Sequence, residues 1–151
     1  MSPRGYAGAY SKVQVQSTES KEDVLLLLFE EAIKRVRQAR AGIEAGSPKI
    51  RGENLSRALA IVSELDCALD RTLELDMVEN LSGLYRYMIQ QMTVANVQND
   101  ASALEPVESI LKDLYEAFQQ AALEVRNAEA GTSAQASAPS EPQEGGLRAA
   151  V

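Results

Sequence analysis

Histidine and tryptophan are absent from this 151-residue chain, and cysteine occurs once, as Cys67. Each absence removes a class of chemistry. Without histidine there is no Ser–His or Cys–His pair to activate a nucleophile. The Glu-x-x-His pairs that build di-metal sites in helical bundles are equally impossible. A lone cysteine cannot form an internal disulfide, which suits a reducing compartment, and within a helix it reads as a small inert residue. The longest purely apolar run, Val24 to Phe29, is six residues, far short of the roughly 20 that a membrane span needs. The opening MSPRGYAGAYSK has no apolar stretch of the secretory kind. No GxGxxG, P-loop or CxxC motif occurs. The acids Asp66, Asp70, Asp113 and Glu116 flank apolar stripes and read as solvated helix faces. No catalytic residue, metal ligand or cofactor is therefore expected, and the chain does not read as an enzyme.

Charge narrows the partners. There are 22 acidic and 15 basic residues, a formal net charge of −7. Such a surface repels phosphate backbones and anionic membranes, so neither nucleic-acid binding nor membrane insertion is expected. The imbalance is local. Between Ser20 and Ala45 five basic residues (Lys21, Lys34, Arg35, Arg37, Arg40) match five acids, whereas Glu53 to Glu129 holds five basic and fourteen acidic residues.

What is present is helical. Leu, Ala, Val and Ile dominate the apolar set, with few β-branched runs, a mix that favours helices over sheet. Residues 1–19 read as an arm carrying Tyr6 and Tyr10. Ser20-Lys21-Glu22-Asp23 is a capping signature, and the basic residues from Lys34 to Arg40 suit the far end of the helix dipole. A first helix is predicted from about Ser20 to Ala45, stopping at Gly46-Ser47-Pro48, with a loop over 46–52. Leu55, Ala58, Leu59, Val62, Leu65, Leu69 and Leu73 mark a second helix. Leu81, Leu84, Tyr85, Met88, Met92 and Ala95 mark a third, and Leu104, Val107, Leu111, Leu114, Phe118, Ala122 and Val125 a fourth, with Pro106 in its first turn. Short connections make neighbours antiparallel. The expected fold is an all-α, antiparallel up-down-up-down four-helix bundle over residues 20–130, preceded by a short N-terminal arm or helix. Residues 131–151, rich in Gly, Ser, Ala and Pro, read as a disordered tail.

The first helix has more apolar surface than one core requires. Val24, Leu25, Leu28, Ala32, Val36 and Ala39 form one stripe, and Leu26, Phe29 and Ile33 widen the apolar arc to roughly 200°. Tyr87 and Val94 likewise fall outside the stripe of the third helix. Surplus apolar surface meets something. Two occupants are open: the chain's own arm with Tyr6 and Tyr10, or a partner segment lying in a groove. Tyr10, Leu26, Phe29, Ile33, Tyr87 and Val94 are the candidate client-binding residues.

Several strings carry a family likeness. Tyr10 precedes Ser17-Thr18-Glu19-Ser20; the first helix holds Leu27-Leu28-Phe29-Glu30-Glu31-Ala32-Ile33; the second holds Leu55-Ser56-Arg57-Ala58-Leu59-Ala60-Ile61-Val62 with Leu65 and Leu69-Asp70. The most specific is Asn80-Leu81-x-x-Leu84-Tyr85-x-Tyr87-Met88, followed by Ala95-Asn96 and Asp100, because bundle periodicity does not demand Asn80, Tyr85, Tyr87 or Asn96. Over about residues 6–125 the chain resembles the flagellin-specific export chaperones of the bacterial flagellum. It departs from them at Glu31, where the family has Gly, at Phe118, where it has Trp, and at Ala7, where it has a larger apolar residue. The resemblance implies a cytoplasmic chaperone that binds the disordered C-terminal region of flagellin, blocks premature polymerisation and presents it to the export gate. The other reading of the residues is a non-catalytic, homo-oligomeric bundle that scaffolds or regulates without a peptide client.

Overall fold

The computed structural model describes residues 6, 8–14, 20–73 and 76–136. Four long helices follow one another: α1 (Lys21–Glu44), α2 (Pro48–Cys67), α3 (Asp76–Gln98) and α4 (Glu105–Ala136). A short 3-10 turn, Ala101–Leu104, leads into α4. Helix α1 packs against α2 on one side and α4 on the other, and α2 against α3, while α3 meets α4 only lightly along its length. Cross-links fix the directions. Phe29 meets Phe118 and Arg37 meets Glu108, so α1 and α4 are antiparallel. Arg35 reaches Asn54 and Arg51 reaches Asn96, so each sequential pair is antiparallel as well. The expected up-down four-helix bundle is what the chain forms, with α1 and α3 on a diagonal.

Local chemistry sets the boundaries. The Ser20 hydroxyl accepts from the Asp23 N–H at 3.2 Å and the Ser47 hydroxyl from the Ile50 N–H at 3.3 Å, each occupying a helix donor that has no intrahelical partner. Pro48 stands at the first position of α2, where its missing N–H costs nothing. Helix α1 stops at Gly46, whose φ of +68° lets the Ser47 N–H turn back to the Gly42 carbonyl at 2.8 Å. Asn99 ends α3 in the same way, with φ 54° and the Asp100 N–H on the Ala95 carbonyl.

Three boundaries differ from expectation. The loop expected over 46–52 is largely the first turns of α2. Gly42 makes this possible: a Cβ there would stand 2.8 Å from the Arg51 nitrogen, so its absence lets the two helices close immediately after the turn. Helix α2 ends at Cys67, leaving Leu69 buried in the following turn, and not on the helix. Helix α4 continues to Ala136, beyond the expected limit at residue 130. Its described side chains from Arg126 onward are exposed. The remainder of the expected tail, like Ala7 and Ser17-Thr18-Glu19 of the family strings, lies outside the described residues.

The core runs the length of the bundle, with Val36, Leu55, Val62, Leu81, Met88, Met92, Leu104 and Leu111 fully buried. Helix α1 contributes Leu25, Phe29, Ala32, Val36, Ala39 and Ile43, a stripe turned from the expected one. Val24 and Leu28 lie at its edge, half-buried, and Leu27 faces outward.

Candidate functional site

The described part of the N-terminal arm is docked on the bundle, at the end where α1 starts and α2 finishes. Ala9 and Tyr10 have no exposed surface. The Tyr10 ring lies 5.6 Å from that of Phe118, edge to face, and Phe118 also meets Tyr6 at 5.0 Å and Phe29 at 5.1 Å. Four aromatic rings, two from the arm and one each from α1 and α4, therefore close this end of the core. Such contacts add to plain apolar burial.

Polar bonds hold the arm in register. The Tyr10 hydroxyl donates to the Leu65 carbonyl at 3.0 Å and lies 2.6 Å from the Tyr85 hydroxyl. Leu65 belongs to the last turn of α2, whose carbonyls have no helical partner, so Tyr10 occupies an acceptor that would otherwise be buried unpaired. A phenol has one proton, and Tyr10 spends it on Leu65; Tyr85 is therefore the donor of the hydroxyl pair. Burial pushes both phenols far above their ordinary range, and both stay protonated.

Asp70 forms the second anchor. Its backbone N–H donates to the Ala9 carbonyl at 2.8 Å. Its carboxylate accepts from the Ser11 hydroxyl at 2.7 Å, from both the N–H and hydroxyl of Thr72, and pairs with Lys12 at 3.4 Å. These bonds, led by the Thr72 and Ser11 hydroxyls, hold the carboxyl down at about 2. Asp70 is only 4% exposed, so the expectation of a solvated helix face is corrected here: it is a turn residue that fastens the arm. The spacing Asp70-x-Thr72 just past a helix end is the sequence signal for such a turn. Asp66 is also engaged, accepting from Ser82 at 2.7 Å and Arg71 at 2.8 Å.

The six candidate client-binding residues do not form one surface. Tyr10 and Phe29 are fully buried and Ile33 is 9% exposed. The reading of Phe29 and Ile33 as surplus surface is corrected: both belong to the buried stripe of α1, Phe29 under Phe118. Tyr10 is likewise a core residue of the free chain, and not a contact made outside the core. Leu26 is half-buried and packs against the core. Tyr87, 41% exposed, lies on the outer side of α3, and Val94 is half-buried and packs against the core. Asn80, Tyr87 and Val94 recur at seven-residue steps and so share one row. Leu84, expected at the centre of the α3 stripe, is half-buried at its flank. Of the family-like residues, Tyr85 binds the arm and Asn96 accepts from Arg51 at 3.1 Å, which leaves Asn80 and Tyr87 exposed.

Among the described residues no group of His, Cys, Asp or Glu is arranged to hold a metal ion, and no helix is long and apolar enough to cross a membrane. A family model described as "Flagellar protein FliS" matches residues 3–125. The flagellar secretion chaperone FliS of Salmonella typhimurium is 37% identical over 116 residues, covering 74% of this chain and 86% of its own. The same-named protein of Vibrio cholerae is 34% identical over 127 residues, covering 82% and 93%, and that of Bacillus subtilis 32% over 113 residues, covering 75% and 83%. These are chaperones, a non-enzymatic class, and the match spans the arm and nearly the whole bundle. The chain belongs to the FliS family of flagellar secretion chaperones.

Proposed function

We propose that this chain is a cytoplasmic chaperone that binds the C-terminal region of flagellin, keeps it from polymerising prematurely and delivers it to the flagellar export gate. The observation that carries the reading is the outer row of α3. Tyr87 is a large aromatic side chain that the bundle does not need: it stands 41% exposed, whereas Leu81, Tyr85 and Met88 of the same family-like string are buried. Val94 lies two turns along the same row, half-buried. A filament subunit has an amphipathic end that pairs with copies of itself, and a chaperone face that buries the same apolar residues competes with that pairing. Such a protein needs only to bind and release.

The test is calorimetric titration of the full chain with a flagellin C-terminal peptide, alongside the mass of the mixture by light scattering. Tyr87→Ser/Val94→Ser should bind at least about tenfold more weakly while remaining folded, with a modest drop in melting temperature because Val94 packs against the core. Equal affinity in that folded variant excludes this face. A chain that ignores the peptide and assembles only with itself would favour the scaffold reading.

A further inference from the structure

A second surface lies away from the outer face of α3, between the adjacent helices α1 and α4. A groove of about 520 Å³ is floored by Ile33 and the Tyr115 ring and rimmed by Lys34, Arg37 and Lys112. In a chain of net charge −7, this is a local inversion of sign. The cations are not used up internally. Glu108, only 12% exposed in its side chain, is shared among Arg37 at 2.7 Å, Arg40 at 3.4 Å and Lys112 at 3.4 Å. Arg37 reaches it through Nε alone, leaving the terminal nitrogens of its guanidinium for another acceptor. Lys34 is exposed and has no ion-pair partner among the described residues. The one acid on the rim, Glu30, is engaged by the Tyr115 hydroxyl at 2.8 Å.

The groove continues toward an apolar end. Leu27, 53% exposed, precedes Lys34 by seven residues and Gln38 by eleven, steps that keep all three in one row of α1. On α4, Leu123, 49% exposed, follows Lys112 by eleven residues, again in one row. Because the helices are antiparallel, both leucines fall at the same end, between the Tyr115–Glu30 bond and the Arg126–Asp23 ion pair. The surface thus offers two exposed leucines and, about two to three helical turns away, three cations with spare donors.

We propose that the α1/α4 groove docks an acidic amphipathic helix of a partner protein, one that carries apolar residues on one turn and carboxylates two to three turns further on. The apolar turn covers Leu27 and Leu123, and the carboxylates accept from Lys34, Arg37 and Lys112 above Ile33. Charge complementarity selects the occupant: a basic or neutral helix has the same apolar match but leaves the cations without acceptors, and the remaining strongly acidic surface of the bundle repels an acidic helix from docking elsewhere. The proposal is independent of the α3 face and stands or falls without flagellin.

The probe is a synthetic amphipathic helix with a leucine pair and a glutamate pair two to three turns apart, made in both chain orders. A second version carries Gln for Glu. Binding to the full chain is followed by amide shifts in NMR spectra. The glutamate peptide should shift α1 and α4 resonances around Leu27, Lys34 and Lys112, and weaken with added salt. Lys34→Gln/Lys112→Gln removes two exposed charges while Glu108 keeps Arg37 and Arg40, so the chain should stay folded, and it should bind about tenfold more weakly; Leu27→Ser/Leu123→Ser should weaken binding comparably. Equal binding of the glutamine peptide, unchanged affinity in the lysine variant, shifts confined to other helices, or no saturable binding would each overturn the proposal.

Discussion

The Tyr10–Tyr85 hydroxyl pair gives a stability prediction whose sign depends on which phenol donates. Tyr10→Phe deletes one oxygen but strands two groups: the Leu65 carbonyl, an end-of-helix acceptor, and the Tyr85 hydroxyl, which is fully buried. A buried polar group left unpaired costs about 1–3 kcal/mol. With both groups stranded and some relaxation allowed, the expected loss is about 2–3 kcal/mol. Tyr85→Phe strands nothing comparable, because Tyr10 keeps its bond to Leu65; the expected loss is about 1 kcal/mol. At this chain length each kcal/mol moves the melting temperature by about 2–4 °C. Adding Tyr85→Phe to Tyr10→Phe removes the stranded hydroxyl, so the double variant should be no less stable than Tyr10→Phe alone. The arm can also undock, and deletion of residues 1–14 sets the ceiling on any loss at Tyr10. Urea unfolding followed by far-ultraviolet circular dichroism measures all four variants. Additive losses, or a larger loss for Tyr85→Phe than for Tyr10→Phe, would refute the assigned direction of the bond.

Three further outcomes follow from particular contacts. The Asp70 carboxyl sits at about 2, below the ordinary value of about 4 for an unfolded chain. Its contribution to stability is therefore complete above about pH 4 and is lost as pH falls toward 2. Asp70→Asn should melt below the parent at neutral pH, with the gap closing on acidification, and a pH-independent gap would show that the carboxylate charge is not what fastens the arm. Gly42→Ala places a methyl 2.8 Å from both the Arg51 nitrogen and Ile50 Cγ2, and should cost about 1–3 kcal/mol by forcing α1 and α2 apart. Gly83→Ala, on α3 with open space around the added carbon, should be neutral or stabilising by up to about 1 kcal/mol; denaturant midpoints compare the two. Truncation after Ala130 removes only the exposed end of α4 from the described structure. It should shift the melting temperature by under about 2 °C, since the sequence of residues 131–151 offers few apolar anchors for a core, and a larger drop in calorimetry would mean that the removed residues pack on the bundle.

Helix number, type and order were legible in the sequence because three- and four-residue apolar spacing needs no knowledge of neighbours. Ser20, Gly46-Ser47-Pro48 and Pro106 act through backbone bonds within a few residues, and they bound the helices in the structure where local chemistry places them. Only tertiary packing decided which face of α1 turns inward. Val24 to Phe29 is an unbroken apolar run, so spacing alone does not choose between Leu28 and Phe29. Phe118, a ring 89 residues away in sequence, settles it by accepting Phe29 at 5.1 Å. The same holds for the arm. Tyr10 stood out as an aromatic residue ahead of the first helix, but its burial depends on an acceptor on α2, a hydroxyl on α3 and a ring on α4. The start of α2 depended on tertiary structure in another way. Gly42 lets Ile50 and Arg51 approach at once, a fit that exists only when two helices meet. Local hydrogen bonding is encoded within a turn of chain, whereas burial is a property of surfaces brought together from distant parts of it.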